Sequence, residues 1–107
     1  MRLEKRRSPR LDFGVTVIHD GKRGMTRDIS ANGTFIIMDE QPENTSLSPI
    51  GADLLFSLDF PNARRHIDVE GTVVHHGKDE GGMGIWFKRI DERNKEFIKM
   101  FILDYLK

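Results

Sequence analysis

The sequence predicts a mainly β fold, a small closed or nearly closed antiparallel barrel followed by one C-terminal α-helix. Two observations carry that expectation. Short apolar alternations recur at regular spacing, separated by glycine-containing turns, as in an all-β barrel. After residue 90 the apolar period lengthens from that of a strand to that of a helix. With 107 residues, 37% of them apolar, the chain can fill one modest core and so forms a single domain, residues 1–107.

Residues 1–12 are polar, and Pro9 lacks an N–H and biases Ser8 away from helical geometry, so this stretch reads as a flexible arm. The barrel is expected over residues 13–90. From Phe13 the chain alternates Val15 and Val17 against Thr16 and Ile18, up to a turn at Asp20-Gly21-Lys22. Residues 24–29 return as a second strand, residues 28–33 make a tight turn, and Thr34-Phe35-Ile36-Ile37-Met38 is a strongly β-prone third run. Residues 39–51, with Pro42, Asn44, Ser46, Ser48 and Pro49, form a connecting loop. Leu54, Phe56 and Leu58 then alternate against Leu55, Ser57 and Asp59, and Pro61-Asn62-Ala63 turns the chain. Residues 66–75 supply the partner strand, with Ile67, Val69, Gly71 and Val73 on one face. A glycine-rich turn over residues 77–82 leads to the last strand, Met83-Gly84-Ile85-Trp86-Phe87.

The helix is expected over residues 91–107. Asp91 caps it, Glu92 lies in its first turn, and Phe97, Ile98, Phe101, Ile102, Tyr105 and Leu106 recur along one stripe. Packing on the barrel covers that stripe; a dimer-forming helix is the alternative.

Lys plus Arg and Asp plus Glu each number 17, for a formal charge of +0, which argues against a general polyanion binder. The charge is nonetheless uneven, since Arg2, Lys5, Arg6, Arg7 and Arg10 face only Glu4 among the first ten residues. The absence of cysteine excludes a disulfide framework, a thiol nucleophile and a Cys-based zinc site. No apolar run approaches the roughly 18 residues of a spanning helix, and the N-terminus lacks the apolar stretch of a signal peptide, so the expected compartment is the cytoplasm.

Two constellations point to chemistry. In Arg6-Arg7-Ser8-Pro9-Arg10 the proline favours an extended arm, in which Arg6 and Arg10 project to the same side with Cα atoms at most roughly 13 to 14 Å apart. Guanidinium groups bind guanine O6 and N7 bidentately, pair with phosphate oxygens and stack on bases, which suits a purine nucleotide. By itself the pentapeptide reads as a solvated basic tail. In Asp28-Ile29-Ser30-Ala31-Asn32-Gly33, a carboxylate and a hydroxyl two residues apart on a strand share a face. The carboxylate can accept from guanine N1–H and the exocyclic amine, and the hydroxyl can donate to phosphate. Gly33 is expected to allow a positive φ and a close backbone approach. By itself this hexapeptide reads as an Asx or ST turn.

Taken together, Arg6/Arg10 followed after one hairpin by Asp28/Ser30/Gly33 resembles the PilZ domain family, whose signature is RxxxR followed by [D/N]xSxxG. The resemblance covers nearly the whole chain. It implies a six-stranded antiparallel barrel with a C-terminal helix, no catalysis, no cofactor, and binding of cyclic di-GMP. Carried over, Arg6 and Arg10 would hold guanine and phosphate groups, Asp28 would read a guanine edge, Ser30 would assist and Gly33 would shape the turn. For Arg7, between the motif positions, both a further phosphate contact and a solvated charge stay open. The residue before RxxxR is Lys5, and a basic side chain there tends to favour a stacked pair of ligands. The expected consequence is ordering of the arm by a dianion, with the changed surface read by a partner effector protein. A ligand-independent interaction adaptor is one alternative. A barrel for single-stranded nucleic acid is another, made less attractive by the neutral charge and the single Trp and Tyr.

Other features predict no site. Gly81-Gly82-Met83-Gly84 lacks the Lys-Ser/Thr ending of a P-loop. His75 and His76, adjacent in a strand, should point to opposite faces and not share a metal. Asp59, Asp68 and Glu70 form no paired-carboxylate motif. Arg64 and Arg65 read as exposed charge, and Trp86, set among apolar residues, is expected to pack against the helix.

Overall fold

The computed structural model describes residues 10–39, 48–60, 63–77 and 81–106. The expected contacts of Lys5, Arg6 and Arg7 lie outside these residues, as do residues 40–47 of the expected loop, Pro61 and Asn62, and residues 78–80 of the expected glycine-rich turn.

Among the described residues, six strands close into an antiparallel barrel: β1 (Thr16–His19), β2 (Lys22–Ile29), β3 (Gly33–Met38), β4 (Asp53–Phe60), β5 (Arg65–His76) and β6 (Met83–Arg89). Their order around the barrel is β1-β2-β3-β6-β5-β4, and pairing of Val17 with Leu58 between β1 and β4 joins the two ends. Closure leaves no sheet edge to template foreign strands. β1 and β2 meet through a two-residue turn at Asp20 and Gly21, whose φ values of 54° and 76° match the twist of a tight hairpin.

The first strand starts three residues later than the alternation suggests. The hydroxyl of Thr26 donates to the carbonyl of Phe13 at 2.6 Å and accepts from the N–H of Val15 at 2.8 Å. The Thr26 N–H still donates to the Val15 carbonyl at 2.9 Å, but the return bond goes to the side chain, and regular pairing begins at Thr16 opposite Met25. Val15 still points inward with Val17.

Alternation elsewhere sets the core as expected. Leu54, Phe56 and Leu58 of β4 meet Ile67, Val69 and Val73 of β5 inside the barrel, joined by Ile36, Ile85 and Phe87. The helix α1 (Glu92–Leu106) starts at Asp91, whose carboxylate accepts from the N–H of Arg93 at 2.8 Å. Ile98 and Ile102 enter the same core, and their full burial contributes about 1.5–3 kcal/mol each. Phe60 at the end of β4 meets Phe97 and Phe101 edge-on, with ring centroids 5.0 Å apart in each pair. Arg65 at the start of β5, expected as exposed charge, is half-buried. It donates to Asn94 at 3.0 Å and lies 4.8 Å over the Phe97 ring, tying β5 to the helix. No helix of the described residues is long and apolar enough to cross a membrane.

Candidate functional site

Two β-bulges, facing one another across the barrel wall, build the site. In β2, Thr26 pairs with Ile36 and Asp28 with Phe35, so Arg27 is the extra residue. Thr26 lies opposite a core side chain; without the bulge Asp28 would share its inward parity. The extra residue turns Asp28 to the outer face, beside Phe35. In β5 the same happens at Val74: Val73 pairs with Ile85 in the core, and His75 pairs with Gly84 on the outer face. His75 and His76 pair with the consecutive residues Gly84 and Met83 and so keep opposite faces; what the bulge changes is the parity of His75 relative to Val73. The bulge sends Val74 and His75 together toward the cleft, which they both line.

Arg10 and Asp28 meet near the end of β2. Leu11 forms a backbone bridge to Ile29, its N–H donating to the Ile29 carbonyl at 2.8 Å and accepting the return bond at 2.9 Å. The preceding residue is thereby set beside β2, and Arg10 Nη1 donates to Asp28 Oδ1 at 2.5 Å. Arg27 Nη2 approaches Asp28 Oδ2 at 3.4 Å. The carboxylate is 8% exposed and the Arg10 side chain 42% exposed, so Asp28 is a sunken anchor and Arg10 a partly free cation. Arg27 also lies 4.0 Å over the Phe35 ring. Two guanidinium groups against one carboxylate leave the cleft net positive, suited to an anion.

Ser30 sits in the turn after β2 rather than on the strand face. Its hydroxyl accepts from the N–H groups of Asn32 and Gly33, each at 3.2 Å, and donates to the Gly33 carbonyl at 3.3 Å. Its observed role is thus to shape the turn. The expectation of a positive φ at Gly33 is not met, since its φ lies outside the left-handed region. The other half of that expectation holds: a Cβ on Gly33 would stand 2.5 Å from the carbonyl oxygen of Ile85. Gly33 is needed because β3 and β6 approach so closely here, where Gly33 pairs with Trp86.

That pairing also corrects the expected place of Trp86. Ile85 and Phe87 take the inward parity, so Trp86 between them faces out, 58% exposed, and does not pack on the helix. It forms a wall of an open cleft of about 430 Å³ with Arg10, Asp28, Gly33, Phe35 and His75. Exposed Trp86 and buried Phe35 are contributions the motif reading missed; the outward parity of Trp86 between Ile85 and Phe87 was the available signal. Among the described residues no group of three or more His, Asp or Glu is placed to hold a metal ion.

The PilZ domain family model matches residues 4–104. The Bacillus subtilis inhibitor of motility (MotI/DgrA) is similar in structure, with a TM-score of 0.84 and 19% identity over 99% of this chain and 53% of that one. The chain therefore spans about half the length of that protein. The PilZ domain of CeSA from a cellulose synthesizing bacterium is similar with a TM-score of 0.58 and 20% identity, over 94% of this chain and 100% of that domain. At these identities the two structures speak to the fold. No curated protein matches the sequence.

Proposed function

The chain belongs to the PilZ domain family, a family of cyclic di-GMP receptor domains, and from that premise we propose that it binds cyclic di-GMP in the cleft between Arg10 and Trp86. PilZ domains are binding or adaptor domains rather than enzymes in themselves. The observation that carries the reading is the Arg10–Asp28 ion pair at the mouth of a positively charged cleft with an exposed indole on its wall. Arg6 and Arg10 hold guanine and phosphate groups in this reading, through bidentate hydrogen bonds and stacking. Asp28 aims Arg10, and its remaining lone pairs accept from the guanine N1–H and amine. The Ser30 turn and Gly33 keep the backbone low enough for a flat ligand, and Lys5 and Arg7 add charge that favours a second, stacked molecule.

The consequence is a change of surface. A dianion neutralises the basic arm and draws residues 1–12 onto the barrel, where a partner effector protein reads the result. A titration followed through Trp86, the single tryptophan, tests this directly. Cyclic di-GMP is expected to alter its emission saturably, and cyclic di-AMP to have little effect. Emission and heat both unaltered by cyclic di-GMP contradict the reading and favour an adaptor that works without the nucleotide.

A further inference from the structure

Resting on that reading, we propose that His75 is a further phosphate-binding group, one that strengthens nucleotide binding as it takes up a proton. It belongs to neither arginine nor aspartate motif, and only the bulge at Val74 brings it to the cleft. Its ring is held in a defined place. It lies so close over β6 that a Cβ on Gly84 would stand 2.2 Å from its Cε1, 2.5 Å from its Nδ1 and 2.7 Å from its Nε2, and it also packs on the Phe35 ring, with centroids 5.6 Å apart at an interplanar angle of 31°. Gly84 is the one residue type that leaves room for this pose.

The His75 side chain is exposed and lines the cleft. Neutral imidazole offers one N–H donor to a phosphate oxygen; the protonated ring offers two and adds a charge. Arg10 stands in the same cleft as a second cation, so a ligand carrying two phosphates can meet both.

Among the described residues, the charged groups sharing the cleft with His75 are Arg10, before β1, and Arg27 and Asp28 of β2. Phe35 of β3 and Gly84 and Trp86 of β6 also line it, and none of these titrates near neutrality. Asp28 is engaged by both arginines. The other histidines lie elsewhere: His19 bonds the Leu55 carbonyl, His66 sits between Asp59 and Asp68, and His76 bonds the Ser48 carbonyl. Phosphodiesters and guanine keep their protonation states across the range in which imidazole titrates. The α-amino group titrates in part of the same range, so the His75 variants are what assign a pH dependence of binding to His75.

Calorimetric titration with cyclic di-GMP at about pH 8 and about pH 5.5 tests this, on the natural chain and on His75→Gln and His75→Ala. The natural chain is expected to bind about three- to tenfold more tightly at the lower pH and to take up protons on binding, seen as heats that vary with buffer ionisation enthalpy. His75→Gln, which can donate but not charge, is expected to lose that gain and the proton uptake while keeping affinity at the higher pH within about threefold. His75→Ala is expected to bind more weakly at both. A pH response retained in His75→Gln, or none in the natural chain, overturns the assignment and leaves the receptor reading intact. Absence of binding by the natural chain at either pH overturns both.

Discussion

At Asp28 a single sunken carboxylate engages Arg10 at 2.5 Å and Arg27 at 3.4 Å, so one side chain controls the charge of the cleft. Asp28→Asn keeps the volume and removes the charge. It is predicted to weaken cyclic di-GMP binding by at least about tenfold and to lower stability by about 1–3 kcal/mol in denaturant titrations. Arg10→Ala is predicted to weaken binding as much but to cost no more than about 1 kcal/mol of stability, because the arginine is partly solvated and its pairing screened. A variant pair with equal stability losses contradicts the sunken-anchor arrangement. Gly33→Ala is predicted to destabilise by about 1–3 kcal/mol, since its Cβ meets the backbone oxygen of Ile85, which a side-chain rotation cannot relieve. Asp28, Ser30 and Gly33 were legible in the sequence because their spacing repeats a known pattern. The places of Trp86 and His75 were not: Trp86 was assigned by its apolar neighbours, and His75 joins the cleft through a bulge at Val74 that no glycine or proline signals.

Among the elements, three strands are cross-linked on the outer surface by one small polar network. Asp53 of β4 accepts from Lys88 of β6 at 2.7 Å and from Thr72 of β5 at 2.8 Å. The hydrogen bond from Lys88, then that from Thr72, holds the Asp53 carboxyl below its usual 3.8, and Asp53 in turn raises the Lys88 ammonium above its usual 10.5. The carboxyl's contribution is therefore present above the usual value and lost as pH falls through the lowered folded one. That of the ammonium is present below its usual value and lost as pH rises through the raised one. Lys88→Met is predicted to flatten the acid limb of the melting-temperature profile below about pH 4, by a small amount because both groups are exposed. An unchanged acid limb counts against the network. In the helix, Ile98→Ala is predicted to cost about 2–5 kcal/mol, and Leu103→Ala, whose side chain is half exposed, within about 0.5 kcal/mol. Strand and helix periods were readable because each element buries one face. The start of β1 was not, because the Thr26 hydroxyl takes one bond of the backbone pair, an effect that depends on a residue in another strand.

For the molecule as a whole, a neutral chain carries a positive cleft on a closed barrel whose helix already packs into the core. In the proposed reading the ligand response belongs to residues 1–12, of which Leu11 bridges to Ile29 of β2. Amide signals of that segment are predicted to shift and gain exchange protection with cyclic di-GMP, while those of Ile98 and Ile102 stay in place. Equal changes throughout the barrel contradict a response confined to the arm. The most direct measurement of the central claim is calorimetric titration with cyclic di-GMP, repeated on Arg10→Ala and with cyclic di-AMP. The account predicts saturable binding, with a stoichiometry of one ligand or a stacked pair, that Arg10→Ala loses and cyclic di-AMP does not reproduce. No heat at several temperatures, with equilibrium dialysis also showing no uptake, would contradict it.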